Sequence, residues 1–395
     1  MTLVNPSGIE SVVETAPAEH ARGLGVVIAG GGTGGHLFPG ISIAQAFVEM
    51  NAENRILFVG TGRPVEKAVL PRSGFASTDI RVQGIKGRGL FAKIGALLRI
   101  PGAVWTSRGI LKRFGADLVI GVGSYSAGPV ALAARWLGIP VVICEQNILP
   151  GITNRMLARL ASRIYVSFAH THIKAAPEKL TVAGNPVRRE LLAARETGAK
   201  DRKKPFTVLV LGGSQGAHRL NEIMMKAMTE TELHHHIYLI HQTGEADEAA
   251  VRETYTQAGV RFRVQAFFDD MSEIYHMADL VICRAGATTI AELTALGKAA
   301  IFIPYPYAAD NHQEMNAAEL VMEDAAEMIR EADLTVESLL DRIEYYAGHP
   351  ESLAELSSNA RRLGKPDAAR IIAEDCLQVV EGSKGQGAKS MEQRA

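Results

Sequence analysis

The sequence predicts an α/β protein made of two doubly wound parallel-sheet domains in tandem, facing each other across a cleft. Three observations carry that expectation. Strand-like apolar runs alternate with segments whose apolar residues recur three and four apart. The runs are continuous in Val, Ile and Leu rather than alternating, as in parallel strands buried on both faces. Each half also opens the same way, with Val26-Val27-Ile28-Ala29 entering Gly30-Gly31-Gly32-Thr33-Gly34-Gly35 and Val208-Leu209-Val210-Leu211 entering Gly212-Gly213-Ser214-Gln215-Gly216. Repeated strand–helix units of this kind build open doubly wound sheets.

In chain order, Met1–Arg22 lacks a basic start followed by an apolar run and reads as a flexible leader (residues 1–23) rather than a secretory signal. Strands are expected at Leu24–Ala29, Arg55–Val59, Asp117–Gly121, Pro140–Cys144 and Arg163–Val166, with a helix over Leu37–Met50. These fill a first domain, residues 24–190. The charged, turn-rich stretch Arg195–Pro205 lies within a linker over 191–206. The second domain, 207–365, has strands at Thr207–Leu211, His236–His241, Arg261–Val264, Asp279–Cys283 and Ala299–Ile303, and helices at Ala217–Met228 and Thr288–Leu296. After Ser352 the chain is helical to Glu381, with 366–381 as a C-terminal helix and 382–395 as a loose polar tail. The charge-free stretch Leu118–Ala134 is interrupted by Gly121, Gly123, Ser124, Gly128 and Pro129, so it is a strand, a turn and a helix start rather than a span of about 20 apolar residues.

Of the 395 residues, 47% are hydrophobic and 22% charged, enough apolar content for large buried cores. Lys plus Arg (42) nearly cancels Asp plus Glu (43), which argues against a nucleic-acid partner. Three scattered cysteines, Cys144, Cys283 and Cys376, make neither a disulfide framework nor a four-ligand zinc site. His234-His235-His236 enters a strand, where consecutive side chains point to opposite faces and do not converge on one ion.

A glycine turn between a strand and its helix brings backbone N–H groups to an oxyanion. The first loop satisfies G-x-G-x-x-G through Gly30, Gly32 and Gly35, yet the second strand ends in Val59-Gly60-Thr61 without the acid that holds a dinucleotide's ribose. His36 stands where a P-loop lysine belongs. The second loop, Gly212-x-Ser214-x-Gly216, resembles a nucleophile elbow, but Asp310 and His312 are too close together to complete a hydrolase triad. Ser214 reads better as a phosphate or sugar ligand.

Ligands of doubly wound sheets bind beyond the carboxyl ends of the strands. There stand Thr33, Gly34, Gly35 and His36; Gly121–Pro129; Glu145-Gln146-Asn147; Ser214 and Gln215; Phe267–Asp270; Arg284–Glu292; and Tyr305–Asn316. Thr288 and Thr289 offer hydroxyls at a helix start suited to a diphosphate, and Glu292 is either a ribose acceptor or a solvated helix glutamate. The run Asp310–Asn316 fits sugar-hydroxyl recognition or plain helix capping.

Gly31-Gly32-Thr33-Gly34-Gly35-His36, Glu145-Gln146-Asn147, Gly184-Asn185-Pro186-Val187-Arg188, Gly212-Gly213-Ser214-Gln215-Gly216 and Arg284-x-Gly286-Ala287-x-Thr289-x-x-Glu292 occur in this order. Together they resemble the MurG family, the N-acetylglucosaminyltransferases of bacterial peptidoglycan synthesis, from about Leu24 to the C-terminal helix. The resemblance implies a GT-B fold of two Rossmann-like domains. It implies transfer of N-acetylglucosamine from UDP-GlcNAc, with inversion, to the C4 hydroxyl of MurNAc in lipid I, giving lipid II. By the family pattern, UDP-GlcNAc contacts fall on Thr33, Gly34, Gly35, Asn147, Arg188, Ser214, Phe268, Ala287, Thr288, Thr289, Ile290, Ala291, Glu292 and Gln313. Phe268 would bind uracil through its backbone, Glu292 the ribose and Gln313 the donor sugar. Three positions depart from the pattern: Ser124 replaces a glycine, Cys144 a histidine and His312 a glutamine.

Displacement at an anomeric carbon needs a base for the acceptor's proton and stabilisation of the departing UDP. His36 is the candidate base, with Glu145 second. The sequence shows no obvious Asp-x-Asp metal motif and calls for no cofactor; stimulation by a divalent cation is left open. The family places the protein peripherally on the cytoplasmic face of the bacterial plasma membrane, with lipid I as a partner and room for other cell-wall synthesis proteins. The basic, apolar stretch from Ile85 to Arg113, with Leu90, Phe91 and Trp105 as candidate anchors, is either a lipid-docking surface or an amphipathic helix packed on the first sheet. The rival functions are another GT-B nucleotide-sugar transferase with a different acceptor, and a module that only sequesters a nucleotide.

Overall fold

The computed structural model describes residues 23–82, 99–194, 205–213 and 216–392. Most of the expected leader and linker, together with Leu90, Phe91, Ser214 and Gln215, lie outside the described residues. The first sheet contains β1 (Gly25–Ala29), β2 (Arg55–Gly60), β3 (Ala76–Asp79), β4 (Leu118–Gly121), β5 (Val141–Glu145), β6 (Arg163–Val166) and β7 (Leu180–Val182). The second contains β8 (Phe206–Leu211), β9 (Ile237–Gln242), β10 (Phe262–Gln265), β11 (Leu280–Cys283), β12 (Ala299–Phe302) and β13 (Glu327–Met328). Every pairing is parallel, in the orders β3-β2-β1-β4-β5-β6-β7 and β10-β9-β8-β11-β12-β13.

Strand order reverses between β1 and β4 in one sheet and between β8 and β11 in the other. Such switch points open a crevice at the carboxyl edge. Both glycine loops sit there.

The central strands match the expected apolar runs to within a residue or two. Strands β3, β7 and β13 are additions. They lie at sheet edges, only partly covered, so no run of buried aliphatics marks them.

The end of the chain differs from expectation. The helix Pro350–Leu363 stops at Gly364, whose α-carbon lies so close to Thr294 that an added Cβ would sit 2.5 Å from its carbonyl oxygen. A second helix, Ala368–Glu392, then returns to the first domain. There it buries Ile372, Ala373, Cys376 and Val380 against Val26, Ile28, Ile43 and Phe47. Tyr165 and Arg163 fix it through Asp375 at 2.9 and 3.1 Å. The tail expected from Gly382 is thus helical to Glu392: docking supplies the nucleus, and each further residue adds a hydrogen bond that offsets poor glycine propensity. Conversely, Val187 and Leu191 already pack into the second domain's core.

Inside the second domain His241 is fully buried. Its Nε2 meets Asn221 Oδ1 at 3.0 Å, and its Nδ1 meets the Tyr255 hydroxyl at 2.9 Å. The Asn221 amide donates to Thr243 O and Asp247 Oδ2, so its oxygen is left to accept from the imidazole. Burial pushes the His241 pKa down to about 3. Below its unfolded value of about 6.5 the unfolded chain takes a proton that the folded chain refuses, so stability falls by about 1.4 kcal/mol per pH unit down to the folded value. His241→Gln should lose less stability than the parent between neutral pH and the middle of that window, measured by urea unfolding; equal losses would refute the assignment.

Candidate active site

At the first switch point Gly30, Gly31 and Gly32 all have positive φ, and a Cβ on Gly30 would lie 2.5 Å from the carbonyl oxygen of Gly123. Only glycine lets the β1 and β4 loops approach this closely. The turn ends at Thr33, which is extended and exposed and starts the helix Gly34–Met50. The Thr33 side chain does not cap that helix, which leaves its first amides toward the cleft.

His36, in the first turn of the helix, is half-buried, with Nδ1 3.2 Å from Gln146 Oε1. Its pKa is lowered from the ordinary value chiefly by burial, with His312 adding to the effect and the hydrogen bonds to Gln146 and Val122 opposing it. The ring is therefore neutral at pH 7.

Glu145 is buried and turned into its own loop. It accepts from Asn147 N at 2.9 Å, Asn147 Nδ2 at 3.4 Å, Gly151 N at 3.1 Å and Asn154 Nδ2 at 2.8 Å. Burial raises its pKa and these bonds oppose the shift. Four donors match the acceptor capacity of a carboxylate. Glu145 thus shapes the loop Gln146–Asn154 and has no oxygen left for an acceptor's proton, contrary to its place as second candidate base.

Several bonds clasp the two domains. Asn316, fully buried at the start of the second domain's cleft helix His312–Val321, donates to Asn147 Oδ1 at 3.0 Å and accepts from Ile148 N at 3.1 Å. Thr288 Oγ1 donates to Gly35 O at 3.1 Å, and His170 meets Glu319 at 2.7 Å. Nothing in the sequence singled out Asn316 from its polar run.

Glu292 lies on the helix Ala287–Leu296 and is only 4% exposed, which excludes the solvated alternative. Its Oε1 receives Arg188 Nε and Nη2 at 3.0 and 2.9 Å, and its Oε2 receives the Tyr275 hydroxyl at 2.9 Å. Arg188 also lies 4.8 Å from the centre of the Phe38 ring, so one guanidinium spans both domains. On the same helix Ile290 points into the core and Ala287 is buried, leaving the helix's opening amides and Thr288, Thr289 and Ala291 nearer the cleft. Phe268 is a core side chain whose backbone N–H donates to Gln242 Oε1 at 3.0 Å. Its carbonyl is then the backbone group that suits a nucleobase N–H. Gln313 accepts from Tyr305 N at 2.9 Å through Oε1, so its amide NH2 is the end that can reach a sugar hydroxyl. Among the described residues no group of three or more His, Cys, Asp or Glu is placed to hold a metal ion.

Two domains whose glycine-loop edges meet in one cleft are found in known enzymes. Residues 26–166 match the glycosyltransferase family 28 N-terminal domain and residues 207–372 its C-terminal domain. A UDP-N-acetylglucosamine--N-acetylmuramyl-(pentapeptide) pyrophosphoryl-undecaprenol N-acetylglucosamine transferase of Geotalea uraniireducens is 46% identical over 89% of this chain and 97% of its own length. The Myxococcus xanthus protein of the same name is 44% identical over 90% and 93%. The crystal structure of Acinetobacter baumannii MurG superposes with a TM-score of 0.73 at 30% identity, over 90% of this chain and 99% of that one. The chain belongs to the MurG family. A UDP-GlcNAc 2-epimerase from Neisseria meningitidis, at a TM-score of 0.65 and 13% identity over 90% and 100% of the two chains, shares the GT-B fold.

The departures from the MurG-family pattern now have surroundings. Ser124 has a left-handed backbone (φ 70°), a conformation that favours glycine, and pairs its hydroxyl with Ser126 at 2.9 Å. Cys144 is buried in β5, and burial pushes its thiol far up, so it is inert core. His312 follows two left-handed residues, Asp310 and Asn311, and donates from Nδ1 to Ala309 O at 2.7 Å.

Proposed function

We propose that the chain transfers N-acetylglucosamine from UDP-GlcNAc to the C4 hydroxyl of MurNAc in lipid I, forming lipid II with inversion. The observation that carries this reading is the place of His36 at the first domain's switch point, beside a cleft in which Arg188–Glu292 and Thr288–Gly35 join the two domains. His36 takes the hydroxyl proton as the acceptor oxygen bonds to the anomeric carbon. The bond from that carbon to the diphosphate breaks, and its electron pair leaves with UDP. Helix-terminal amides at Ala287–Thr289 and the Arg188 guanidinium offset the charge on the leaving group. Glu292 takes the ribose diol and Gln313 the donor sugar. Thr33, Gly34, Gly35, Asn147, Ser214 and the backbone of Phe268 complete the donor contacts.

Incubation with UDP-GlcNAc and a short-chain lipid I analogue should release UDP and yield a disaccharide. Donor binding without transfer to this acceptor would overturn the reading.

The acceptor's lipid calls for peripheral docking on the cytoplasmic membrane face. Among the described residues no helix is long and apolar enough to cross a membrane. Trp105, on the helix Ile100–Phe114, and Trp136, ending the helix Ala127–Trp136, are 65% and 59% exposed with ring centres 5.9 Å apart. Arg108 lies over both rings at 5.5 and 5.1 Å, and the apolar side chains of Ile152 and Met156 are also exposed. Exposed indoles beside a guanidinium suit an anionic interface. Changing Trp105 and Trp136 together to serine should abolish flotation with anionic liposomes and spare transfer to a short-chain acceptor; unchanged flotation would remove this surface from the account.

A further inference from the structure

Gln146 follows β5 and is 2% exposed, yet none of the donor contacts requires it. Its Nε2 lies 3.0 Å from Val122 O and 3.4 Å from Cys144 O. Backbone carbonyls only accept, so the NH2 end of the amide belongs on that side and Oε1 faces His36 Nδ1 at 3.2 Å. An amide oxygen also only accepts, so the imidazole must donate from Nδ1. The Val122 carbonyl also accepts a hydrogen bond from the ring, so Gln146 shares the imidazole with a backbone acceptor. Gly123 (φ +100°) flanks the ring so closely that a Cβ there would fall 2.6 Å from Nδ1 and 2.7 Å from Cε1.

We infer that Gln146 is a positioning residue that holds His36 in its Nδ1-protonated tautomer, leaving the Nε2 lone pair to receive the acceptor's proton. The inference rests on His36 being the base. When Nε2 takes the hydroxyl proton, the ring becomes an imidazolium that still donates from Nδ1 to Gln146, and the proton afterwards passes to solvent. A neutral amide orients the ring without the electrostatic pull of a carboxylate, so the ring stays unprotonated between turnovers. No neighbouring charge competes for this role: the carboxylate of Glu145 is tied to its own loop, and His312, the titratable group that acts on the ring, disfavours its protonation.

The test combines the ring's state with kinetics. Nitrogen-15 NMR of the histidine-labelled full chain, with the His36 signals assigned by their loss in His36→Ala, should show Nδ1–H and bare Nε2 at neutral pH; an Nε2–H tautomer overturns the inference. Gln146→Leu fills the same space but cannot accept, and should lower kcat on the order of a hundredfold with KM for UDP-GlcNAc within about threefold of the parent. Gln146→Glu, which can still accept from Nδ1, should restore most of that loss. Parental kcat in Gln146→Leu, or no recovery in Gln146→Glu, refutes the role. Should both variants fail to fold, the tautomer of the parent decides. Full turnover in His36→Ala would instead overturn the base assignment itself, an outcome separate from these.

Discussion

His36→Ala should lower kcat by roughly 10²- to 10⁴-fold, the usual worth of a positioned general base, while UDP binding measured by calorimetry stays at the parental value. The imidazole lies in the first turn of Gly34–Met50 and faces the cleft rather than the core, so its removal leaves the sheet and both glycine loops in place. The pH profile gives the sign. Burial lowers the pKa of His36, so the ring is bare through neutral pH, and parental kcat/KM falls on the acid side only below about 6.5, the unperturbed value. The residual activity of His36→Ala should lack that limb. Unchanged turnover would remove His36 from the chemistry and leave the cleft without a base.

Glu292→Ala should raise KM for UDP-GlcNAc about 10- to 100-fold, the worth of a hydrogen bond to a charged group at about 1.5–3 kcal/mol. It should also lower the melting temperature. The Tyr275 hydroxyl, fully buried, loses its acceptor, at a cost of about 1–3 kcal/mol, and Arg188 loses its partner across the domains. Glu292→Gln separates the two effects, because an amide still accepts from Tyr275 but cannot pair with a guanidinium or bind a diol as strongly. Three bonds already engage the carboxylate, so the ribose must compete with Arg188 for it. Steady-state kinetics of both variants check this, and a parental KM in each would sink the ribose assignment.

Much of the fold was legible because burial on both faces demands aliphatic strands. Runs such as Val26–Ala29 and Leu280–Cys283 have no other economical explanation, and their glycine-rich exits point to oxyanion-binding turns. The edge strands Ala76–Asp79 and Glu327–Met328 carried no such signature, since half their surface meets solvent or loops. At the site, His36 and Glu292 could be named from motif position and given parts by family resemblance, but not the contacts that hold them. Glu145 shows why: a carboxylate at a strand end looks like a base until four donors from its own loop are found around it. Tyr275 carried no signal and Gln146 only its place in a motif, because the contact that matters in each joins a residue 17 or 110 positions away.

The order of residues alone therefore determined two parallel-sheet domains, their glycine turns and the family they belong to, all of which depend on local patterning and short motifs. Only the tertiary structure decided that the last helix crosses back to Val26 and Phe47, that Asn316 and Arg188 fasten the domains, and that the imidazole of His36 lies against Gln146. The reason is physical. Packing partners, hydrogen-bond direction and the desolvation that sets protonation depend on which distant groups fill the space around a side chain, and that is settled only when the chain is folded.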